Sequence, residues 1–127
     1  IIVAGTYGDV NGDERGSAYL YRTDGVLIKK LQLSLGYVEG LVLEISDDII
    51  LASAPMHGDY YDGAVYLFRT YGQLIAELVT PNGGAERNFA YSVAISADVV
   101  VVGAIYIDDN GSDSGAVYLF RTDGEFI

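Results

Sequence analysis

The amino-acid sequence predicts an all-β protein built from repeated antiparallel sheets. The ten residues 115–124 recur as 63–72 with nine identities and as 16–25 with seven. The copies begin 47 and 52 residues apart, a period that indicates an array of one supersecondary unit. Each copy is a β-branched and aromatic run that ends in a turn dipeptide such as Asp123-Gly124, which favours a tight hairpin. No window shows a sustained helical period, so a helical repeat is disfavoured.

Each unit contains four short strands, which we label A to D. In the best-preserved copy, strand A is 89–95, B is 99–104 and C is 115–122, while 73–80 is strand D of the copy before. The connection between A and B is as short as Ser96-Ala97-Asp98, which favours an antiparallel meander. The predicted strands, in order, are 1–5, 16–23, 26–33, 41–45, 49–55, 63–70, 73–80, 89–95, 99–104 and 115–122.

Strand C is apolar on both faces. Ala116, Tyr118 and Phe120 alternate with Val117 and Leu119, so the sheet must be covered on both sides. A four-stranded sheet packed between two copies of itself is a β-propeller blade. The sequence therefore predicts a β-propeller fragment of about two and a half four-stranded antiparallel blades. The expected blades are 1–35 without a first strand, a complete 36–82, and 83–127 truncated in its last strand, with further copies in a longer parent chain.

The composition narrows the classes of function. The 127 residues include 18 acidic and 7 basic side chains, for a net charge of −11. This balance argues against nucleic-acid and anionic-membrane partners, which need basic patches, and it permits cation binding. The absence of cysteine excludes disulfides, thiol catalysis and thiolate metal sites. No apolar run reaches the ~20 residues of a membrane-spanning helix.

Two halves of a known repeat recur along the chain. Residues 89–95 resemble an F-G-x-S-V-A-I segment, Val102-Gly103-Ala104 resembles V-G-A-P, and 108–120 resemble D-D-N-G-S-D-S-G-A-V-Y-x-F. The whole chain thus resembles the FG-GAP repeat family of integrin-α-like β-propellers, in its secreted prokaryotic branch. Two positions depart from the family's pattern: Ala90 replaces the glycine of the FG segment, and Ile105 replaces the proline that follows Gly-Ala in the GAP segment. The resemblance implies a parent propeller of about seven blades, secreted or on the cell surface, that serves in binding and adhesion.

Calcium is the cofactor that the resemblance suggests. The family holds calcium between its FG and GAP strands, but here Ser46-Asp47-Asp48 is too short to supply the 6–8 oxygens that calcium takes. Acidic loops lie instead between strands B and C, and Asp9-x-Asn11-x-Asp13 alternates oxygen ligands as calcium loops do. Gly12 is at the fourth position rather than the sixth, so a solvated turn is the alternative. The candidate calcium ligands are Asp9, Asn11, Asp13, Asp108, Asn110 and Asp113.

Catalytic interpretations find little support in the sequence. His57 is the one histidine, and a triad with Ser53 and Asp59 can be drawn, but nothing fixes its geometry. Paired carboxylates such as Asp108-Asp109 could suggest glycoside hydrolysis, yet adjacent turn residues tend to point apart. We therefore expect no catalytic residues and a protein that is not an enzyme.

The functional prediction depends on aromatic residues in the loops. Tyrosines on B–C loops combine an apolar ring with a polar tip, which suits contact with a sugar or a protein. The predicted ligand face comprises Tyr7, Tyr60, Tyr61, Tyr106 and Asp109. The sequence thus favours a non-enzymatic extracellular module that binds a protein or glycan and packs against the remaining blades of its parent chain. An accessory propeller domain of a secreted hydrolase and a structural spacer remain the alternatives.

Overall fold

The computed structural model describes residues 1–6, 17–31, 33, 41–55, 62–81, 88–106 and 114–127. These residues contain ten β-strands and no helix. All ten predicted strands are present, which confirms the all-β fold. The strands are β1 Ile2–Thr6, β2 Ser17–Tyr21, β3 Leu27–Leu31, β4 Val42–Ser46, β5 Ile49–Ala54, β6 Ala64–Arg69, β7 Leu74–Leu78, β8 Ser92–Ser96, β9 Val99–Ala104 and β10 Ala116–Arg121.

The strands pair only with their neighbours along the chain. Sheet 1 has the order β1-β2-β3, sheet 2 the order β4-β5-β6-β7, and sheet 3 the order β8-β9-β10. Every pairing is antiparallel, so each sheet is a meander, as the short connections predict. Three such sheets of three or four strands are consistent with the predicted β-propeller fragment.

Sheet 2 is the only one of the three described sheets that is covered on both sides. We call its two sides the Tyr/Phe face, which carries Tyr66 and Phe68, and the Val/Leu face, which carries Val65 and Leu67. The Tyr/Phe face packs against sheet 1 and the Val/Leu face packs against sheet 3. All four side chains are at most 1% exposed. The periodicity of strand C therefore fits the observed stacking, because both sides of β6 meet an apolar partner.

The same strand has a different environment in sheet 3. Tyr118 and Phe120 of β10 are buried against the Val/Leu face of sheet 2. Val117 and Leu119, on the other side of β10, are 67% and 42% exposed. Within the described residues, strand C is covered on both faces in β6 and on one face in β10, which belongs to the last sheet of the fragment. The difference arises from the neighbouring sheet, since the two strands share the sequence Ala-Val-Tyr-Leu-Phe-Arg.

Strand A begins later than the hydrophobic pattern predicts. β8 starts at Ser92, and the preceding Phe89, Ala90 and Tyr91 form a turn. Asn88 and Ala90 have φ of 62° and 68°, which is left-handed backbone that no strand contains. The ring of Phe89 is fully buried between the sheets, with its centroid 5.6 Å from that of Tyr118. Phe89 thus contributes to the core from a turn rather than from a strand.

The A–B hairpins are alike in sheets 2 and 3. Asp47 and Ala97 occupy equivalent turn positions with φ of 51° and 52°. The Asp98 carboxylate lies 3.3 Å from Arg121, and its backbone carbonyl accepts a hydrogen bond from the amide of Thr122. An equivalent ion pair joins Asp48 to Arg69. These side chains are exposed, so each ion pair contributes little, and the backbone bond is the common stabilising element.

Replacing Ala97 by glycine is expected to stabilise the protein. A Cβ in left-handed backbone costs roughly 1–2 kcal/mol, and part of the gain is offset by the flexibility of glycine in the unfolded chain. We expect Ala97→Gly to raise the free energy of unfolding by roughly 0.5–1 kcal/mol in a urea titration. Ala94→Gly, on the exposed side of β8 with ordinary strand backbone, should lower it by a similar amount. Losses at both positions would contradict the prediction.

Candidate functional site

The connections between strands B and C and between D and A lie at one end of the sheets. Antiparallel pairing places the A–B and C–D turns at the opposite end. The end with the B–C and D–A connections is called the loop end; its described residues include Asp62, Gly63, residues 88–91, residues 105–106 and Gly115. This end contains the B–C connections, in which the sequence analysis places the predicted ligand face.

Gly63 brings the loop ends of two sheets into direct contact. Its φ is +78°, and a Cβ added to it would lie 1.9 Å from the carbonyl oxygen of Phe89. The B–C connection of sheet 2 therefore runs against the turn that leads into sheet 3. Gly115 is the equivalent residue of sheet 3, where the nearest atom to an added Cβ is the carbonyl oxygen of Ala104 at 3.3 Å. The close approach is thus a property of the contact between sheets 2 and 3.

Two tyrosines are exposed at the loop end of sheet 3. Tyr91 is 59% exposed and immediately precedes β8, and Tyr106 is 55% exposed and follows β9. Ser92 pairs with Gly103 in the β8–β9 register, so both tyrosines emerge from the same end of neighbouring strands. Tyr106 has φ of 65°, an unusual conformation for a bulky residue. The amide of Tyr91 donates a 3.2 Å hydrogen bond to the carbonyl of Asn88, which holds the turn.

A carboxylate is also found at the loop end, in the B–C connection of sheet 2. Asp62 precedes Gly63, and its Oδ1 atom is buried without a hydrogen-bond partner in the described part of the chain. Ser53, within β5, has an Oγ atom in the same condition. Buried acceptors without partners are uncommon in folded proteins. No group of three His, Cys, Asp or Glu side chains suited to a metal ion occurs among the described residues.

A model of the FG-GAP repeat family matches residues 73–120. This segment runs from the last strand of sheet 2 through the three strands of sheet 3, and therefore contains the segments that resemble the FG and GAP halves. Residues 73–120 are similar to one FG-GAP repeat. This repeat is the propeller-type repeat of integrin α, and it is typical of extracellular and cell-surface proteins. Comparisons with curated proteins and with solved structures gave no match.

The FG-GAP assignment explains the backbone at Ala90. The repeat has glycine at this position, and Ala90 has left-handed φ with no exposed surface. Glycine adopts this conformation without steric cost, whereas alanine is strained there. Tyr91, the next residue, is exposed because the turn interrupts the alternation of strand A. Sequence reasoning missed Tyr91 as an exposed residue of the loop end by placing it within that strand; the FG glycine is the signal that could have indicated a turn.

Most of the predicted site lies outside the described residues. Of the predicted ligand face only Tyr106 is described, and it is exposed at the loop end. His57 and Asp59 of the hypothetical triad are likewise outside the described part, whereas Ser53 is buried in β5. The remaining predicted site residues outside it are Tyr7, Tyr60, Tyr61, Asp109, Asp9, Asn11, Asp13, Asp108, Asn110 and Asp113. The calcium site therefore stays a prediction.

No helix in the described ranges is long and apolar enough to span a membrane.

Proposed function

We propose that this protein is a non-enzymatic extracellular module that binds a protein or glycan through the loop end of its sheets. The observation that supports the proposal is the pair of exposed tyrosines at the loop end of sheet 3, Tyr91 and Tyr106. Tyrosine offers a large, rigid contact area at a low entropic cost and a hydroxyl for hydrogen bonding. Such residues are enriched where proteins recognise partners.

The backbone of Tyr106 strengthens this argument. Left-handed φ costs a residue with a Cβ roughly 1–2 kcal/mol, and glycine or asparagine would relieve that strain. The Tyr106 ring is more than half exposed, so burial within the described protein does not offset the strain in full. A strained conformation that directs an aromatic ring into solvent is typical of ligand contacts. We infer that ligand binding is what the tyrosine contributes at this position.

The electrostatics of the chain favour a ligand that donates hydrogen bonds. The net charge of −11 attracts cationic groups, and the carboxylates that produce this charge accept hydrogen bonds from a hydroxyl or an amine. Sugar hydroxyls and the basic side chains of a protein both meet this requirement. The aromatic rings of Tyr91 and Tyr106 would supply the apolar part of the contact.

Removal of either loop-end ring is expected to weaken binding at least about tenfold, as for residues central to an interface. The probe is a glycan array together with a panel of cell-surface ectodomains. Tyr91→Ala and Tyr106→Ala should lose affinity for the ligand that the unmodified chain binds. Tyr71→Ala is the matched control, because Tyr71 is 65% exposed in the C–D turn at the opposite end of sheet 2. Equal losses from all three variants would contradict a loop-end site.

Tyr106→Gly separates binding from stability. This variant removes the ring and also relieves the left-handed strain, so it should bind as weakly as Tyr106→Ala while melting at a higher temperature than that variant. Full affinity in Tyr106→Gly would show that the ring is not a ligand contact. Absence of any glycan or ectodomain ligand would favour the structural-spacer alternative.

A further inference from the structure

We propose that Phe89 is a positioning residue for the ligand contact of Tyr91, and that Gly63 of the neighbouring sheet holds Phe89 in place. This role rests on the proposed function, in which Tyr91 contacts the ligand. Sheet 2 thereby determines where a ligand contact of sheet 3 lies, and the loop-end site is built by two sheets together.

Phe89 anchors the turn that carries Tyr91 in the core between sheets 2 and 3. Its side chain has no exposed surface, and its ring centroid lies 5.6 Å from that of Tyr118 and 6.2 Å from that of Phe120. Ala90, the next residue, is also fully buried, whereas Tyr91 is 59% exposed. The exposed tyrosine therefore follows directly after two residues whose positions are fixed by packing.

Two residues of this turn have a strained backbone. Asn88 and Ala90 have left-handed φ of 62° and 68°, and the amide of Tyr91 donates a 3.2 Å hydrogen bond to the carbonyl of Asn88. Left-handed backbone at residues with a Cβ persists only where the surrounding structure enforces it. The buried side chain of Phe89 supplies part of that enforcement, because it ties the middle of the turn to the core.

Gly63 supports the same turn from sheet 2. A Cβ added to Gly63 would lie 1.9 Å from the carbonyl oxygen of Phe89, 2.8 Å from its carbonyl carbon and 3.1 Å from its nitrogen. Any larger residue at position 63 must displace the Phe89 backbone or move the B–C connection of sheet 2 away from it. Gly115, the equivalent residue of sheet 3, has no such neighbour among the described atoms of another sheet.

Tyr106, the other exposed tyrosine of the loop end, provides an internal comparison. It follows β9 and does not belong to the turn of residues 88–91. The three atoms nearest to the added Cβ on Gly63 all belong to Phe89. Displacement of Phe89 should therefore impair the contact made by Tyr91 and spare the one made by Tyr106, which separates a positioning role from a general loss of stability.

Amide hydrogen exchange of the 127-residue chain measures the positioning without a ligand. We expect Gly63→Ala to accelerate exchange of the Tyr91 amide at least about tenfold relative to Gly115→Ala, because the displaced turn no longer protects it. The amide of Gly124 is the reference, since it donates a 2.9 Å bond to the carbonyl of Arg121 at the opposite end of sheet 3. Equal acceleration of both amides, or none at Tyr91, would overturn the positioning role.

Affinity measurements relate the positioning to binding. The probe is the glycan or ectodomain that the unmodified chain selects from the array and the panel. Gly63→Ala should weaken its binding about tenfold when Tyr91 is present and have almost no effect in the Tyr91→Ala background. In the Tyr106→Ala background the loss should persist in full. Equal losses in both backgrounds would show that Gly63 acts through stability alone, and the proposal would be wrong.

The two measurements fail separately. If neither array nor panel yields a ligand, the proposed function fails, and exchange of the Tyr91 amide alone decides whether Phe89 and Gly63 hold the turn. If a ligand binds but that exchange is unchanged, the proposed function stands and the positioning role is wrong. Should Gly63→Ala not fold, Phe89→Leu is the second variant: it loses the ring contacts to Tyr118 and Phe120, so the Tyr91 amide should again exchange faster. Unchanged exchange in Phe89→Leu would contradict the proposal.

Discussion

Gly63→Ala is expected to lower the free energy of unfolding by roughly 2–5 kcal/mol, since it adds left-handed strain to an overpacked contact. The new Cβ would lie 1.9 Å from the carbonyl oxygen of Phe89, and a backbone atom cannot rotate away as a flexible side chain can. The clash is relieved only when the B–C connection of sheet 2 moves away from the turn before sheet 3. The loss should appear as a lower urea midpoint.

Gly115→Ala is the matched control for this prediction. Gly115 has φ of +74°, close to that of Gly63, and the same sequence follows it. No described atom of another sheet lies within 4 Å of its added Cβ, so only the backbone strain of roughly 1–2 kcal/mol is expected. The difference between the two variants measures the contact between sheets 2 and 3. Equal losses would show that this contact is looser than the structure has it.

The sequence predicts the strands well because both the repeat and the hydrophobic alternation are local properties. The ten predicted strands are observed, and their meander order follows from short connections. Phe89 marks the limit of such reasoning. Its segment alternates like a strand, but left-handed backbone at Asn88 and Ala90 converts it into a turn that an alternating pattern does not reveal.

The sequence predicts only part of the candidate site, because a turn within an alternating segment is not visible in the pattern. Tyr106 was identified because it belongs to a connection rich in turn-forming residues, and such connections lie at the surface. Tyr91 was missed because its neighbours have strand-like composition, and its exposure depends on the turn that precedes β8. The unpartnered Oδ1 atom of Asp62 depends on packing in three dimensions, which no spacing of residues predicts.

The burial of a residue also cannot be predicted from the sequence of its own repeat alone. β6 and β10 have the same six residues, yet one strand is buried on both faces and the other on one. The hydrophobic pattern predicts which side chains can be buried. Whether each of them is buried depends on the presence of a neighbouring sheet. Identical substitutions in the two strands therefore provide a direct comparison of the two environments.

Leu67→Ala is expected to lower the free energy of unfolding by roughly 2–5 kcal/mol, because it leaves a cavity at the contact between sheets 2 and 3. Leu119→Ala, at the equivalent position of β10, should change it by no more than about 1 kcal/mol in dilute solution, since the side chain is already partly hydrated. Urea titrations of both variants at low protein concentration provide the measurement.

The comparison of Leu67→Ala with Leu119→Ala also tests the stacking order of the sheets. In a monomer Leu119 should act as a surface residue, and its truncation should leave the urea midpoint almost unchanged. Leu67→Ala should be destabilising at every protein concentration, because sheet 3 of the same chain covers Leu67. If Leu119→Ala is as damaging as Leu67→Ala in a verified monomer, the outer face of β10 is buried within the chain, and the stacking order described here is wrong.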